Sequence, residues 1–439
     1  MTDVTDSPRR IASVMRDVAG SRVTLWLAFV AAHLWLGMLN LYAPGLPLGD
    51  VTITYKLWTD QIVTGNYWMG IDTVWVYPIL AILPMLAAFA LGPALYASTW
   101  LSMVMLLNAV AFAAITGWAT SRRRAAVGWW WIAFLVLLGP IAIARIDSIS
   151  VPLAIVGILL LATRPTAAAV VLTVATWMKV WPAALIAAAV IACRGRARIL
   201  LVVLSVSLGI VVVALLFGSG TNVFSFITQQ TGRGLQAEAP VSTVWLWQAL
   251  AGVPNTYIYY DQNILSFQIV GDGVSVAAAV MTPILAVVAL AVAATGVWAV
   301  RRGARSTELL APLALALVTT LIVVNKVGSP QFIAWLAVPV IFGLATNAAG
   351  HGHSFRFPST VVLVVAVMTQ AFYPYLYIEL ISLNPVLLFV VTARNVLLCV
   401  LLAWAIRTVV LVGLQAHGSP HPKDQHARGL LGLSRRQQQ

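Results

Sequence analysis

Residues 48–78, LGDVTITYKLWTDQIVTGNYWMGIDTVWVYP, follow the first long apolar run of the chain and end where the next one begins. The stretch contains Asp50, Asp60 and Asp72, three of only 13 acidic residues among 439, together with several Trp and Tyr residues. In a chain this apolar, a carboxylate at a membrane boundary is a functional candidate by default. The alternative is a solvated loop with an interfacial aromatic belt, and this alternative suits Asp60 best.

The composition is that of a membrane protein. The chain is 61% hydrophobic and 9% charged, with a mean hydropathy of +0.93, whereas a soluble domain carries roughly 25% charged residues. The net charge is +13, but the basic residues cluster in short loops between apolar runs. This pattern indicates membrane topology and contact with membrane lipids that have anionic headgroups, and nucleic acid is not expected as a partner.

The basic clusters predict which loops share a side of the membrane. If the clusters are cytoplasmic, the remaining polar interruptions all fall on the extracytoplasmic face, and we expect an all-α fold with about 12 transmembrane helices. The clusters placed inside are residues 9–22, 122–124, 194–198, 301–305 and Arg407. The segments placed outside are Asp50, 145–147, Lys179, 218–273, Lys326 and 373–384.

Three segments are distinguished within this single polytopic chain. Residues 1–22 are expected to be a cytoplasmic N-terminal segment, residues 23–414 one transmembrane domain, and residues 415–439 a basic, disordered tail. The first apolar run is longer than a signal-peptide core, so we interpret it as the first span. Residues 51–63 predict an amphipathic interfacial helix. Residues 77–92 are short and contain Pro84, so this run is expected to turn back inside the protein.

Four basic residues on the predicted outer face are candidates for binding phosphate: Arg145, Lys179, Arg233 and Lys326. Cations at this depth need anionic partners, and acids are scarce in this chain, so a ligand phosphate is a good match. The alternative for each residue is a structural role. Arg145 would pair with Asp147, Arg233 would pair with Glu238, and the lysines would extend to the membrane surface.

No familiar cofactor motif is present. Cys193 and Cys399 suggest neither a disulfide nor a zinc site, and the sequence contains no nucleotide-binding loop or nucleophile elbow. We therefore expect no metal and no cofactor. The chemistry that remains is a carboxylate base beside a cationic phosphate site. Asp50 would accept the proton of an attacking hydroxyl while the cations stabilise the phosphate that leaves an activated sugar.

Seven motifs occur in order along the membrane region, and together they resemble one family. They are GDVTITYKLW (49–58), VYPILAIL (76–83), ARIDSISVPLAI (144–155), ATWMKVWPAALI (175–186), TGRGLQAEA (231–239), NKVGSPQFIAWL (325–336) and TARNVLL (392–398). The set resembles the GT-C class of membrane glycosyltransferases that use polyprenyl-phosphate sugars. It is most similar to glycosyltransferase family 87, the actinobacterial α-1,2-mannosyltransferases.

The resemblance implies roles for individual residues. Asp50 matches the catalytic base of the class, Lys179 and Pro182 match a Lys-x-x-Pro motif, and residues 329–331 match Ser-Pro-Gln. Asp72 is a second carboxylate candidate. The residues expected to bind substrate are Tyr55, Tyr77, Trp181, Gln236, Glu238, Asn325, Ser329 and Gln331.

Two departures leave the identity of the donor open. The family's Tyr-Pro-Pro is Tyr77-Pro78-Ile79 here, and its more common Glu-Ser is Glu238-Ala239.

The activity that the resemblance implies is transfer of mannose from polyprenyl-phosphate-mannose, with inversion, at the extracytoplasmic face of the cell membrane. The acceptor would be a hydroxyl of a lipid-linked glycan, such as a phosphatidylinositol mannoside or a lipoglycan, and a protein acceptor stays open. Some relatives transfer arabinofuranose instead. A transporter or flippase of a lipid-linked solute is the alternative of another class, although no internal repeat typical of transporters is evident.

Overall fold

The computed structural model describes residues 20–118, 122–229 and 232–418, and this part of the chain is mostly helical. Within it, eight helices are long and apolar enough to cross a membrane. They are Arg22–Tyr42, Pro93–Thr116, Arg124–Ile143, Arg196–Leu216, Val274–Arg301, Ser306–Val323, Pro330–Ala348 and Pro385–Ala416. A polytopic, largely helical architecture is therefore confirmed, while a total of about 12 spans stays a prediction.

The α-helices are numbered in chain order. They are α1 Arg22–Tyr42, α2 Lys56–Val63, α3 Ile82–Ala88, α4 Tyr96–Thr116, α5 Arg122–Leu138, α6 Asp147–Leu160, α7 Pro165–Met178, α8 Ala183–Ala192, α9 Arg196–Leu216, α10 Ser225–Thr228, α11 Thr243–Leu250, α12 Val274–Arg301, α13 Ser306–Val323, α14 Ala337–Ala348, α15 Arg356–Phe372, α16 Tyr377–Ile381 and α17 Pro385–Gly418. The last helix extends beyond residue 414, where the sequence predicted the tail to begin. Residues 1–19 and 419–439 lie outside the described residues.

Three short helices, α6, α7 and α8, pack against the longer helices of the bundle. They contain 14, 14 and 10 residues, so each is shorter than the roughly 20 residues needed to cross a bilayer. Their breaks fall at residues 139–147 and 179–182, where the backbone leaves the α-helix inside the protein. Irregular backbone at this depth is tolerated only when protein surrounds it, and these breaks bring polar side chains into the bundle.

The two ends of the bundle differ in character. At one end of the bundle, helices α7 and α13 finish and helices α6 and α8 begin. We call it the polar end because Arg145, Lys179 and Lys326 lie there. The turns between α8 and α9 and between α12 and α13 lie at the opposite end, the arginine end. The arginines on these two turns are Arg194, Arg196, Arg198, Arg301, Arg302 and Arg305.

The predicted interfacial helix is present, but its first part is wound differently from the expectation. Residues Asp50–Tyr55 form a π-helix that continues directly into α2. Val51, Tyr55, Thr59 and Ile62 are buried along one side of this segment. π-Helical turns are rare and frequently occur at functional sites. Asp50 is the first residue of this one.

The short apolar run after Tyr77 does not cross the bundle by itself. Residues Ile79–Ala88 form one ten-residue helical unit of 3₁₀ and α turns, which spans only about 15 Å at 1.5 Å per residue. The chain turns at Gly92, whose φ is 87°, and α4 then runs back against α3. The geometry agrees with the expectation that this run turns back inside the protein.

One β-hairpin modifies the all-α expectation. Strands β1, Tyr257–Asp261, and β2, Ser266–Val270, pair antiparallel with Tyr257 opposite Val270. The sequence predicted the polar segment 218–273 only to lie on the outer face. Strand β2 of the hairpin holds residues 235–237 in place. Ala237 donates a backbone hydrogen bond to the carbonyl of Phe267, and Ile269 donates one to the carbonyl of Leu235, each at 3.0 Å.

Candidate functional site

A cavity of about 380 Å³ opens at the polar end of the bundle. Three basic side chains line it, and the described lining residues include no carboxylate. Eight of the predicted site residues line this cavity: Tyr77, Lys179, Trp181, Arg233, Asn325, Lys326, Ser329 and Gln331. The structure therefore brings together residues that are up to about 250 positions apart in the chain.

Lys179 is held in place by a buried carboxylate. It follows the last residue of α7, its Nζ lies 3.5 Å from Oδ2 of Asp147, and Nζ also lies 4.6 Å from the centre of the Tyr77 ring. Oδ1 of Asp147 accepts a hydrogen bond of 2.5 Å from the indole N–H of Trp335. Burial is the largest effect on Lys179 and lowers its pKa, but Asp147 and Tyr77 together raise the pKa by more, so the net shift is upward. Lys179 therefore keeps its charge inside the protein, beside Asp147, and does not extend to the membrane surface.

Arg233 and Lys326 form the second part of the basic lining. Burial lowers the pKa of Lys326, and the charge of Arg233 lowers it further. Burial also lowers the pKa of Arg233, and within the described part of the chain its buried Nε has no hydrogen-bond partner. Two like charges brought together in this way favour an anionic ligand between them.

The backbone fixes the position of these cations. Gln236 donates its backbone N–H to the carbonyl of Lys326 at 3.0 Å, and its Oε1 accepts hydrogen bonds from Gly328 N–H at 3.2 Å and from the Ser329 hydroxyl at 3.3 Å. A Cβ at Gly328 would lie 2.3 Å from the backbone nitrogen of Ala239, so only glycine allows this approach. Gln236, expected to bind substrate, instead supports the loop that lines the cavity.

Asp50 and Arg145 form an ion pair, with 2.8 Å between Arg145 Nε and Asp50 Oδ2. Arg145 also donates hydrogen bonds of 2.8 Å to the carbonyls of Pro47 and Ala144, and another to the hydroxyl of Tyr373. Burial would lower the pKa of Arg145, but Asp50 and Tyr373 outweigh this effect and raise it. These contacts occupy most of its guanidinium, and Arg145 is not among the described residues that line the cavity, so its role as a phosphate ligand stays a prediction.

The Asp50–Arg145 pair adjoins the cavity through Tyr55. The buried Tyr55 hydroxyl lies 3.4 Å from the Tyr77 hydroxyl and accepts a hydrogen bond of 3.2 Å from the backbone N–H of Ile146. Tyr77 lines the cavity and Tyr55 does not. Asp50 is itself 43% exposed, so its carboxylate is accessible to a ligand although its partner is buried.

The structure corrects the pairing alternatives. Arg145 pairs with Asp50 rather than Asp147, and Asp147 pairs with Lys179. Glu238 is fully buried and accepts a hydrogen bond from the Tyr377 hydroxyl rather than pairing with Arg233. Burial raises the pKa of Glu238 although the bond from Tyr377 opposes this shift. Glu238 therefore lies behind the cavity lining rather than in it.

Asp72 does not reach the site. Its side chain is exposed and accepts a hydrogen bond of 2.7 Å from the backbone N–H of Trp68. The carboxylate thus closes a local turn in the first loop and does not line the cavity.

Aromatic side chains form another part of the cavity wall, next to Lys179. Trp181 stacks on Trp335 with 5.5 Å between ring centres, and its indole N–H donates a hydrogen bond of 3.0 Å to Ser150. Phe332 stacks on the same Trp335 at 4.1 Å. Trp335 and Phe332 were missed as site residues, although both lie within the quoted motif 325–336.

Other residues at the site gave no sequence signal. Phe226 and Ile227 come from the polar segment after α9, and Thr282 and Leu285 come from the middle of an apolar helix, α12. Only the tertiary fold places them on the cavity.

Among the described residues, no three His, Cys, Asp or Glu side chains come together as a metal-binding group. Comparisons with protein-family models, with curated proteins and with solved structures find no match for this chain.

Proposed function

We propose that this protein is a membrane glycosyltransferase that takes its sugar from a polyprenyl-phosphate donor, as the motif resemblance implies. The donor sugar would be mannose and the acceptor a hydroxyl of a lipid-linked glycan. If the basic clusters are cytoplasmic, as expected, the polar end lies outside the cytoplasm and transfer would occur at the extracytoplasmic face of the cell membrane.

The observation that carries this proposal is the charge of the cavity. Lys179, Arg233 and Lys326 supply three positive charges and Asp147 one negative charge, which leaves a net charge of +2 at the site. A sugar phosphodiester carries one negative charge, whereas the phosphate monoester that leaves approaches two. The site therefore complements the charge that develops as the donor bond breaks, and such interactions accelerate a reaction.

The proposed reaction is a single displacement. A hydroxyl oxygen of the acceptor forms a bond to the anomeric carbon while the bond from that carbon to the phosphate oxygen breaks. The electron pair stays on the phosphate, next to Lys179, Arg233 and Lys326. Asp50 accepts the proton of the hydroxyl as general base, and the result is inversion at the anomeric carbon.

The apolar part of the cavity suits a lipid-linked donor. Thr282 and Leu285 lie two to three turns into α12, a helix that is largely exposed on its outer surface. A polyprenyl chain could therefore leave the cavity along α12 into the bilayer while its phosphate stays at the polar end.

The proposal is tested by assaying the purified full-length chain in lipid nanodiscs. Synthetic polyprenyl-phosphate donors carrying labelled mannose or arabinofuranose are each supplied with phosphatidylinositol mannoside, and labelled glycolipid and released polyprenyl phosphate are measured. The Lys179→Met variant should lower kcat/KM by about 100-fold or more, because one charge is removed at the leaving phosphate. Lys56→Met, which removes a half-buried lysine that does not line the cavity, is the matched control.

Each other outcome has a distinct meaning. Labelled product from the arabinose donor alone would favour the arabinofuranosyltransferase alternative. Movement of labelled lipid across a liposome membrane, with no sugar transferred, would favour a flippase and contradict the proposal.

A further inference from the structure

The long helices α9 and α12 lie on either side of the short helix α8. Both pack against α8, but they make few contacts with each other. On the far sides, α7 packs against α8 and α9, and α13 packs against α8 and α12. The gap between α9 and α12 therefore faces the bilayer, and we call it the α8 groove.

The exposure of α8 shows which of its sides faces this groove. Most of its residues are buried, but Ala183, Ala187, Val190 and Ile191 are only half-buried. Consecutive members of this set are four, three and one residues apart, and this spacing places them on a single side of the helix. This side is apolar, and the neighbouring helices α9 and α12 also have apolar outer surfaces, with exposed side chains that include Leu204 and Leu208 on α9 and Ile284, Val287 and Leu290 on α12.

The groove ends in an unusually basic surface. Arg194, Arg196 and Arg198 are exposed on the turn after α8, and Arg301, Arg302 and Arg305 are exposed on the turn after α12. The two turns adjoin, since the Ser306 hydroxyl donates a 2.5 Å hydrogen bond to the carbonyl of Ala192. Among the described residues, none of these six arginines forms an ion pair with a carboxylate.

We propose that the α8 groove binds an anionic glycerophospholipid of the bilayer, with an acyl chain along α8 and the phosphate between the two arginine turns. An apolar groove continuous with the membrane complements the chain, and the arginines complement the headgroup. Basic pockets between transmembrane helices commonly bind anionic headgroups. This site is at the opposite end of the bundle from the candidate active site, and it does not depend on the proposed activity.

The proposal is tested by native mass spectrometry of the full-length protein, extracted from nanodiscs that contain phosphatidylglycerol and phosphatidylcholine with identical acyl chains. We expect one phosphatidylglycerol to be retained in preference to phosphatidylcholine. The triple variant R301Q/R302Q/R305Q should weaken its binding on the order of 100-fold, because each arginine near an anionic headgroup contributes a factor of about five.

A matched control removes the same charge from the same end of the bundle. The variant R124Q/R164Q/R356Q changes three exposed arginines on other helices and turns, and it should retain the lipid within about twofold because none of these arginines belongs to the two turns at the end of the groove. A second variant, Ala187→Trp, fills the groove while all arginines stay. It should also release the lipid, and its thermal unfolding curve shows whether it is folded.

Four results would overturn the proposal. Equal loss of lipid from both triple variants would show that only the overall surface charge matters. Equal retention of phosphatidylcholine would show that the arginines do not select the headgroup. Retention of phosphatidylglycerol by a folded Ala187→Trp variant, or its displacement by soluble glycerol phosphate, would show that the groove does not hold the chain.

Discussion

Two ion pairs on the first loop have nearly the same length and quite different surroundings. Asp50 pairs with Arg145 at 2.8 Å, and Asp60 pairs with Lys56 at 2.9 Å. The two carboxylates are similarly accessible, with 43% and 37% of their side chains exposed. Their partners differ, because Arg145 is 5% exposed and comes from a distant part of the chain, whereas Lys56 is 30% exposed and one helical turn away.

The difference shows what makes a carboxylate of this loop a candidate for catalysis. Lys56 can rotate into water together with Asp60, so that pair fixes no geometry and contributes little to stability. Arg145 is held by two backbone carbonyls and by Tyr373, and it therefore presents a fixed charge to Asp50. An accessible acid on a rigid partner is preorganised, which is the property that a general base requires.

The largest effect is expected from removing each carboxylate in turn. Under the proposed function, Asp50→Asn should lower kcat by about 10²–10⁴-fold, the usual contribution of a general base. Asp60→Asn should change kcat less than twofold or so, because its loss removes only a surface pair. Initial rates with saturating labelled donor measure both effects.

Donor binding serves as the control for this comparison. Asp50→Asn should bind the polyprenyl-phosphate donor about as well as the unmodified chain, since Lys179, Arg233 and Lys326 are unchanged. Near-normal turnover by Asp50→Asn would contradict its assignment as the base.

The next prediction concerns Arg145 and Lys56, the basic partners of the two carboxylates, and it can be tested without an activity assay. Arg145→Met should lower the free energy of unfolding by about 2–4 kcal/mol, because three carbonyl or hydroxyl acceptors lose their donor inside the protein. Lys56→Met should lower it by about 0.5 kcal/mol or less. Thermal unfolding in detergent at low and high salt measures both, and only the Lys56 pair should respond to salt. Equal destabilisation by the two variants would remove the distinction.

Much of this arrangement follows from sequence pattern. Composition identifies the membrane class, and polar residues that interrupt apolar runs at 179 and 326 mark the polar end because buried charge is too unfavourable to occur by chance. The predicted convergence of Lys179, Arg233 and Lys326 appears in the cavity lining.

The pairing of charges could not be predicted in the same way. Neighbours in sequence suggested Arg145 with Asp147 and Arg233 with Glu238. Arg145 and Asp147, two residues apart where the chain enters α6, point in different directions, and Glu238 instead accepts a hydrogen bond from Tyr377. Arg145 therefore meets Asp50, and Asp147 meets Lys179. The hairpin 257–270 was also missed, since its short strands are stabilised by pairing with each other and by residues 235–237.

The comparison extends to cations and predicts a pH dependence. Asp50 and Tyr373 raise the pKa of Arg145 against the effect of burial, whereas burial and Arg233 lower the pKa of Lys326. An ordinary lysine has a pKa of about 10.4. Lys326 should therefore lose its charge at a lower pH than that. As pH rises through this lowered pKa, kcat/KM for the proposed donor should fall, by up to about tenfold per pH unit.

The profile of kcat should fall less than that of kcat/KM, because a bound phosphate stabilises the protonated amine and raises its pKa in the complex. Lys326→Arg should move the alkaline fall of kcat/KM to higher pH, since guanidinium keeps its proton even when buried beside another cation. Lys56→Arg, the control, should leave the profile unchanged because Lys56 does not line the cavity. An identical profile for Lys326→Arg and the unmodified chain would show that another group causes the fall, and Lys326 would then not be part of the phosphate site.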